Sequence, residues 1–261
     1  MSRTRRTGRR SPLASVALLL IGLLATGGAY ALVTSSATAS TTATVAAQAE
    51  DGEKLFLANC SSCHGIGAVG TTDAPSLVGV GAAAVDFQVG TGRMPMAASG
   101  PQAEAKPVQF TDDQIAALAA YVATLGEGPG IPTEETLTSG DDIAAGAELF
   151  RINCAMCHNV AGAGGALTEG KFAPDLKDVD PAHVYEAMVS GPQNMPVFND
   201  LNITPEDKAN IIAYLEYLND NPSPGGLDLG GLGPVSEGLF VWIFALGAIV
   251  AVTVWLTAKS N

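Results

Sequence analysis

The sequence predicts an all-α protein with two similar helical domains in tandem, an N-terminal hydrophobic segment and a C-terminal transmembrane helix. Three observations predict this architecture. A stretch of nine residues that ends at Cys60 recurs in a second copy that ends at Cys154. Apolar residues that follow helix-start signals repeat at the spacing of one helix face. Apolar runs of about 20 residues, the length that spans a bilayer, lie near both termini.

The repeat consists of a short motif and a longer frame around it. Gly, Leu, Phe, Asn and Cys occupy equal offsets in residues 52–60 and 146–154. Each copy ends in Cys-x-x-Cys-His, and the two motifs use all four cysteines of the chain. Their residues are Cys60, Cys63 and His64 in the first copy and Cys154, Cys157 and His158 in the second. The sequence therefore predicts a duplicated domain with one functional motif per copy.

The spacing within the motif is that of covalent haem attachment. Thiols at positions i and i+3 lie on one side of a helical turn, where both can form thioethers with one porphyrin, and the next histidine can bind the iron. A four-cysteine zinc site has its two pairs about 15–20 residues apart, whereas most of a domain separates these pairs. A disulfide framework would need cysteines outside the motifs. We therefore predict two covalently bound haem c groups.

The other axial ligand of each haem is predicted to be a methionine. The only histidine outside the motifs is His183, which excludes two bis-histidine haems. Met94 and Met195 each follow a Gly-containing turn and precede a proline, which prevents a helix from continuing past the sulfur. Met96 is an alternative ligand for the first haem, and His183 or Met188 for the second. Met188 lies on a predicted helix, and His183 is most simply a surface or capping residue.

Ligation by histidine and methionine raises the reduction potential and leaves no open position on the iron. It suits electron transfer and argues against peroxide or oxygen chemistry. Acidic pairs elsewhere, such as Asp112 and Asp113, are typical of helix starts. We therefore predict no catalytic site beyond haem redox chemistry.

With these residues, each half resembles a class I cytochrome c domain. In that family a first helix leads to the haem motif, a loop supplies the methionine, and a last helix crosses the first. The matching positions are Gly52 and Phe56 or Gly146 and Phe150 on the first helix, Tyr121 or Tyr214 on the last, and Pro75 or Pro174. The resemblance implies that each proline carbonyl accepts a hydrogen bond from the haem histidine, which fixes the orientation of the imidazole.

Helix-start signals and composition delimit the domains. Thr111 and Gln114 form a predicted capping box, and Thr204 followed by Pro205 marks a second helix start. The predicted bounds are residues 46–126 and 141–221 for the two cytochrome c domains, 127–140 for the linker and 222–238 for a Gly/Pro-rich spacer. The loop from Met94 to Thr111 is longer than its counterpart in the second half. We expect this difference to set what each haem edge docks against.

Both ends of the chain carry membrane signals. Residues 1–33 join an arginine-rich start to an apolar segment, which is either a retained membrane helix or a cleaved signal peptide, and its length favours the helix. Residues 239–258 are uncharged, with Trp242 and Trp255 near their ends, and are predicted to form a transmembrane helix. The arginines and Lys259 predict cytoplasmic termini, with the haem domains on the extracytoplasmic side of the cell membrane.

The region between the two apolar segments is strongly acidic. Residues 50–237 hold all 26 acidic residues and only seven basic ones, a formal charge of −19. Nucleic acid is therefore excluded as a partner. A basic docking surface on another redox protein fits this charge, and so does the solubility of an exported domain.

The whole architecture resembles the dihaem cytochrome c subunit of actinobacterial cytochrome bcc complexes, which are menaquinol:cytochrome c reductases. The resemblance implies an electron-transfer subunit of a quinol:cytochrome c reductase, a translocase. The implied partners are a cytochrome b subunit, a Rieske iron–sulfur subunit and a haem–copper cytochrome c oxidase. The alternatives are a membrane-tethered dihaem carrier for a periplasmic dehydrogenase and a dihaem peroxidase.

Overall fold

The structure is a computed structural model that describes residues 12–98, 100–221 and 238–259. The predicted arginine cluster of the N-terminus and all but the last residue of the predicted 222–238 spacer lie outside these ranges. The described residues are mostly helical, and their only sheet is a hairpin of two strands with two residues each. The predicted all-α class with tandem domains is confirmed.

One long helix, α1, runs from Pro12 to Asn59. The sequence analysis separated an apolar segment that ends at Val33 from a first domain that begins at residue 46, but the structure joins them without a break. The intervening tract is rich in Ala, Ser and Thr and contains neither Gly nor Pro, so nothing in it ends a helix. Thr34 also stays within the helix by donating its hydroxyl to the carbonyl of Tyr30 at 3.0 Å.

The first domain consists of the end of α1 with α2 (Ser61–His64), α3 (Gly81–Gly90) and α4 (Asp112–Thr124). Helices α1 and α4 cross at Gly52, where an added Cβ would lie 1.9 Å from the carbonyl oxygen of Ala117. The predicted contact pair follows one turn later, since the rings of Phe56 and Tyr121 are 5.3 Å apart. The predicted capping box of Thr111 and Gln114 starts α4.

The second domain repeats this arrangement. Its helices are α5 (Glu134–Leu137), α6 (Ile143–Asn153), α7 (Ala155–His158), α8 (Pro181–Ser190) and α9 (Pro205–Asp220). Helices α6 and α9 cross at Gly146, where an added Cβ would lie 1.9 Å from the carbonyl oxygen of Asn210. The rings of Phe150 and Tyr214 are 5.6 Å apart. The helix crossing that the duplicated sequence predicts is therefore present in both halves.

A small hairpin distinguishes the second domain. Its strands are β1 (Gly165–Ala166) and β2 (Phe172–Ala173), which pair antiparallel around a 3₁₀ turn at Thr168–Gly170. The hairpin lies between the second haem motif and Pro174. It occupies the longer connection that this half has between those two points.

The two domains pack directly on each other through α3 and α8. The loop that follows Met94 extends this contact, because the Gln102 side chain exchanges two hydrogen bonds with the backbone of Phe172, at 2.8 and 2.9 Å. The linker is packed as well: the carbonyl of Pro129 accepts a hydrogen bond from the backbone N–H of Ala83 at 3.1 Å. The linker and the loop thus fix one domain against the other.

Two described helical segments are long and apolar enough to cross a membrane: Leu13–Ala31 in α1 and Gly238–Lys259 at the other end. The second contains a π-helical stretch, Val241–Leu246, that continues into α10 (Gly247–Lys259). Neither segment is buried against the rest of the described chain. Their apolar side chains are therefore available to lipid.

Candidate haem sites

The first Cys-x-x-Cys-His motif forms a single helical turn. Backbone N–H groups of Cys63 and His64 donate to the carbonyl of Cys60 at 3.1 and 3.0 Å. Cys60 follows the last residue of α1, and His64 is the last residue of α2 and is 9% exposed. Both thiols and the imidazole therefore lie on one turn, as haem attachment requires.

The second motif has the same geometry. The N–H groups of Cys157 and His158 donate to the carbonyl of Cys154 at 3.1 and 2.9 Å, and His158 is 8% exposed. Burial, helped by the neighbouring Cys157, raises the pKa of the Cys154 thiol to about 11. At neutral pH Cys154 is then a thiol and a poor redox nucleophile, which argues against dithiol exchange chemistry.

Both imidazoles are oriented by a proline carbonyl, as the family resemblance implied. His64 Nδ1 lies 2.8 Å from the carbonyl oxygen of Pro75, and His158 Nδ1 lies 3.0 Å from that of Pro174. A carbonyl only accepts, so Nδ1 carries the proton and Nε2 keeps its lone pair for a metal. Burial lowers the pKa of His158, although the bond to Pro174 acts in the opposite direction. A neutral imidazole is the form that ligates iron.

The predicted methionine ligands lie beside the cores of their domains. Met94 packs on the core of the first domain, and its N–H donates to the carbonyl of Gln88 at 2.8 Å. Met195 packs on the core of the second. Met96, the alternative ligand of the first haem, is 38% exposed. These positions agree with ligation by Met94 and Met195, which stays a prediction.

The alternative ligands of the second haem, Met188 and His183, make further contacts on α8. Met188 is 2% exposed and is part of the second core, which confirms its predicted packing role. His183 lies between the domains, and its Nε2 is 3.8 Å from a carboxylate oxygen of Asp86. It is neither a free surface residue nor the cap of α8, because the cap is Asp180. Only the packing of α8 on α3 gives His183 this partner.

A cavity of about 420 Å³, within the size range of ligand pockets, lies beside the second motif. Cys154, Cys157, His158 and Met195 line it, as do the alternative ligands His183 and Met188, and most of the remaining lining is apolar. The cysteines and His158 come from the motif turn, whereas Met195 comes from the loop after α8. The residues present therefore supply two thiols, two axial ligands and a largely apolar enclosure, which is the donor set that haem c needs.

The first domain completes the wall of this second cavity. The residues that it contributes are Phe87, Thr91, Arg93, Gln102 and Ala105. The guanidinium of Arg93 lies 4.8 Å from the centre of the Phe87 ring, and burial lowers the pKa of Arg93 from its ordinary value. Arg93 remains a cation, and no described carboxylate pairs with it. Sequence reasoning missed this contribution, although the longer loop after Met94 was a signal for it.

Comparison with known proteins identifies the family. A family model described as "Cytochrome C oxidase, cbb3-type, subunit III" matches residues 47–122 and 141–215, one match for each domain. A protein of Corynebacterium efficiens named cytochrome bc1 complex cytochrome c subunit is 41% identical over 280 residues, which cover 99% of this chain and 93% of the relative. A protein of the same name from Mycobacterium tuberculosis is 43% identical over 266 residues, which cover 99% and 95%.

The chain belongs to the family of cytochrome bc1 complex cytochrome c subunits. A more distant match, 32% identical over 97 residues, is the Cbb3-type cytochrome c oxidase subunit FixP of Sinorhizobium medicae, of which it covers 32%. The chain is therefore a cytochrome c electron carrier with an oxidoreductase role, and its domains imply covalently bound haem c. Its family and its two long apolar helices together indicate a membrane protein.

Proposed function

We propose that this chain relays electrons from the cytochrome b and Rieske subunits of a menaquinol:cytochrome c reductase, a translocase, to a haem–copper oxidase. The observation that carries the proposal is the near full-length match to relatives named as bc1-complex subunits, together with the same motif geometry in both domains. Haem c bound at both sites would supply one-electron chemistry through its iron.

In this proposal the chain's own residues attach, orient and enclose each haem. Cys60 and Cys63, or Cys154 and Cys157, would form the thioethers. His64 and His158, oriented by the carbonyls of Pro75 and Pro174, would each bind an iron. Met94 and Met195 would supply the second protein ligand of each iron. Iron bound by both a histidine and a methionine would have no position for peroxide, which favours electron transfer over a peroxidase.

The two proposed sites are adjacent in the chain at one point. Arg93 lines the second cavity, and the next residue, Met94, packs on the first core and is the proposed ligand of the first haem. This adjacency supports electron transfer between the domains inside one polypeptide, without a diffusing carrier. Tethering both redox centres replaces a bimolecular encounter with a high effective concentration.

The membrane helices are proposed to place both domains on the extracytoplasmic side. The N-terminal arginines and Lys259 flank the two apolar helices on the cytoplasmic side. The acidic domains then meet partner proteins outside the cell membrane. Their net charge favours basic docking surfaces on those partners and speeds the encounter.

Co-purification of the tagged, full-length chain from mild detergent tests the proposal. The expected result is recovery of a cytochrome b, a Rieske protein and a haem–copper oxidase in stoichiometric amounts, with menaquinol-driven oxygen consumption. Recovery of a periplasmic dehydrogenase without cytochrome b would support the tethered-carrier alternative and reject the proposal. High-spin haem in the resting spectrum, with peroxide turnover, would indicate a peroxidase.

A further inference from the structure

A buried cluster of three potential metal ligands lies where the two domains meet. Asp86 on α3 faces His183 and Glu186, which are one turn apart on α8. One ligand atom from each residue lies within 4.8 Å of the other two. Asp86 and His183 have side chains that are 24% and 22% exposed, whereas Glu186 is 0% exposed. The cluster thus opens to solvent on one side and ends in a fully buried carboxyl group.

No hydrogen-bond donor in the described residues stabilises the ionised form of Glu186, and its acidic neighbour Asp86 can bond to it only through a shared proton. Neither of its carboxylate oxygens accepts a hydrogen bond from any residue in 12–98, 100–221 or 238–259. Its nearest charged neighbours, Asp86 and Asp180, carry the same sign. A buried carboxylate without a hydrogen-bond donor is costly, and a proton or a bound cation relieves the cost. The cluster therefore favours either a proton shared with Asp86 or a cation held between the two carboxyl groups.

We propose that Asp86, His183 and Glu186 form a zinc site that joins the two domains. One imidazole nitrogen and two carboxylates are a ligand set that zinc accepts, with a water in the fourth position. The divalent charge would neutralise both carboxylates. Calcium and magnesium prefer sites made only of oxygen, so His183 selects against them.

The pair of His183 and Asp86 needs only a small contraction to hold zinc, whereas the cluster as a whole spans up to 4.8 Å. Ligand atoms about 2.0 Å from a tetrahedral ion lie roughly 3.3 Å from each other. His183 Nε2 and the Asp86 carboxylate are 3.8 Å apart, so this pair closes by about half an ångström. The imidazole is already positioned by the edge of the Phe87 ring, with ring centres 6.3 Å apart. Gly90 leaves the space that it needs, because an added Cβ would lie 2.9 Å from His183 Nε2.

The site would act as a cross-link rather than as a redox centre. Zinc has no redox chemistry, so it would hold α3 against α8 without taking part in electron transfer. One ligand comes from the first domain and two come from the second. Opening the interface would therefore break at least one metal bond. The proposal rests on the packing of the two domains and does not depend on the identity of the electron donor or acceptor.

Zinc titration of the full-length, haem-loaded chain, first stripped with a chelator, tests the proposal. The wild-type chain should retain one additional zinc ion after gel filtration, measured by mass spectrometry of the metal. Calcium and magnesium should not displace that ion. The variants His183→Gln and Glu186→Gln should each bind zinc at least on the order of a hundredfold more weakly, since loss of a ligand costs more than loss of its supporting contacts. Glu186→Gln should keep the wild-type haem spectrum, because Glu186 does not line the haem cavity.

A matched control separates this site from the acidic surface. Glu148→Gln removes a carboxyl group from an exposed helix position outside the cluster and should leave zinc retention unchanged. X-ray absorption spectroscopy of the zinc-loaded chain should show one nitrogen ligand on the zinc ion, with oxygen atoms as the other ligands. Equal retention by the wild type and by His183→Gln, or no retention by the wild type, would overturn the proposal, even if the chain co-purifies with cytochrome b.

Discussion

Replacement of Glu186 by Gln should make the chain more stable at neutral and alkaline pH in the presence of a chelator. Burial, with help from Asp86, raises the pKa of Glu186 to about 9 from an ordinary value of 4.5. In the unfolded chain this carboxyl ionises above its ordinary pKa, whereas in the folded chain it stays protonated up to about 9. Its stabilising effect is thus complete below pH 4.5 and is lost progressively as the pH rises to about 9.

The size of the effect follows from the width of that pH window. Each pH unit above 4.5 lowers the free energy of unfolding by about 1.4 kcal/mol, so at pH 7.5 the wild type would have lost up to about 4 kcal/mol of stability. Opening of the domain interface lets Glu186 reach water before the whole chain unfolds, so the observed gain for Glu186→Gln should be smaller, about 1–3 kcal/mol. A glutamine side chain keeps the volume of the neutral acid and does not titrate.

Thermal unfolding at a series of pH values between 5 and 9 measures this gain. With a chelator present, the midpoints of the wild type and of Glu186→Gln should coincide near pH 5. They should then separate by several degrees at pH 8, since about 1 kcal/mol shifts the midpoint of a domain pair of this size by roughly 2–4 °C. Parallel pH profiles across the whole range would refute the assignment of a neutral buried Glu186.

Three further substitutions test the haem sites and the helix crossing. Met195→Leu should lower the reduction potential of the second haem, measured by redox titration, and should let carbon monoxide bind its iron, measured by absorption spectroscopy. An unchanged spectrum would reject Met195 as the ligand. Arg93→Gln should lower the reduction potential of the second haem by about 30–60 mV, because a nearby cation stabilises the reduced form. The control Lys54→Gln, at an exposed site, should leave that potential unchanged. Gly52→Ala should destabilise the first domain by about 1–3 kcal/mol in denaturant unfolding, and Gly130→Ala, with open space around its Cβ, should be neutral.

Local chemistry was predictable from the sequence because it depends on residues that are close in the chain. The motif turns at Cys60 and Cys154 follow from spacing alone. The same holds for the capping box at Thr111 and the helix start at Thr204, which depend on side chains within one turn. The helix crossings were predictable from the duplicated frame, since Gly52 is small enough for two backbones to touch.

Other features depend on packing that no local pattern contains. The continuity of α1 through residues 34–49 results from the absence of any helix-breaking residue, which a search for segments with different compositions does not detect. The role of His183 changes because α8 packs on α3 and brings Asp86 to it. The predicted 127–140 linker contains α5 and rests on both domains, so it is not a free spacer.

The sequence by itself determined the duplicated domain, the two Cys-x-x-Cys-His motifs and the apolar segments at both ends. Each of these depends on residue types at fixed short spacings, which hydrogen bonding within one turn or one helix is enough to define. Only the tertiary structure decided that the first domain closes the second cavity with Arg93 and that Glu186 is buried against Asp86. Those contacts join residues far apart in the chain. Burial where the two domains pack shifts the pKa values of Glu186 and Arg93, and no local sequence pattern contains that burial.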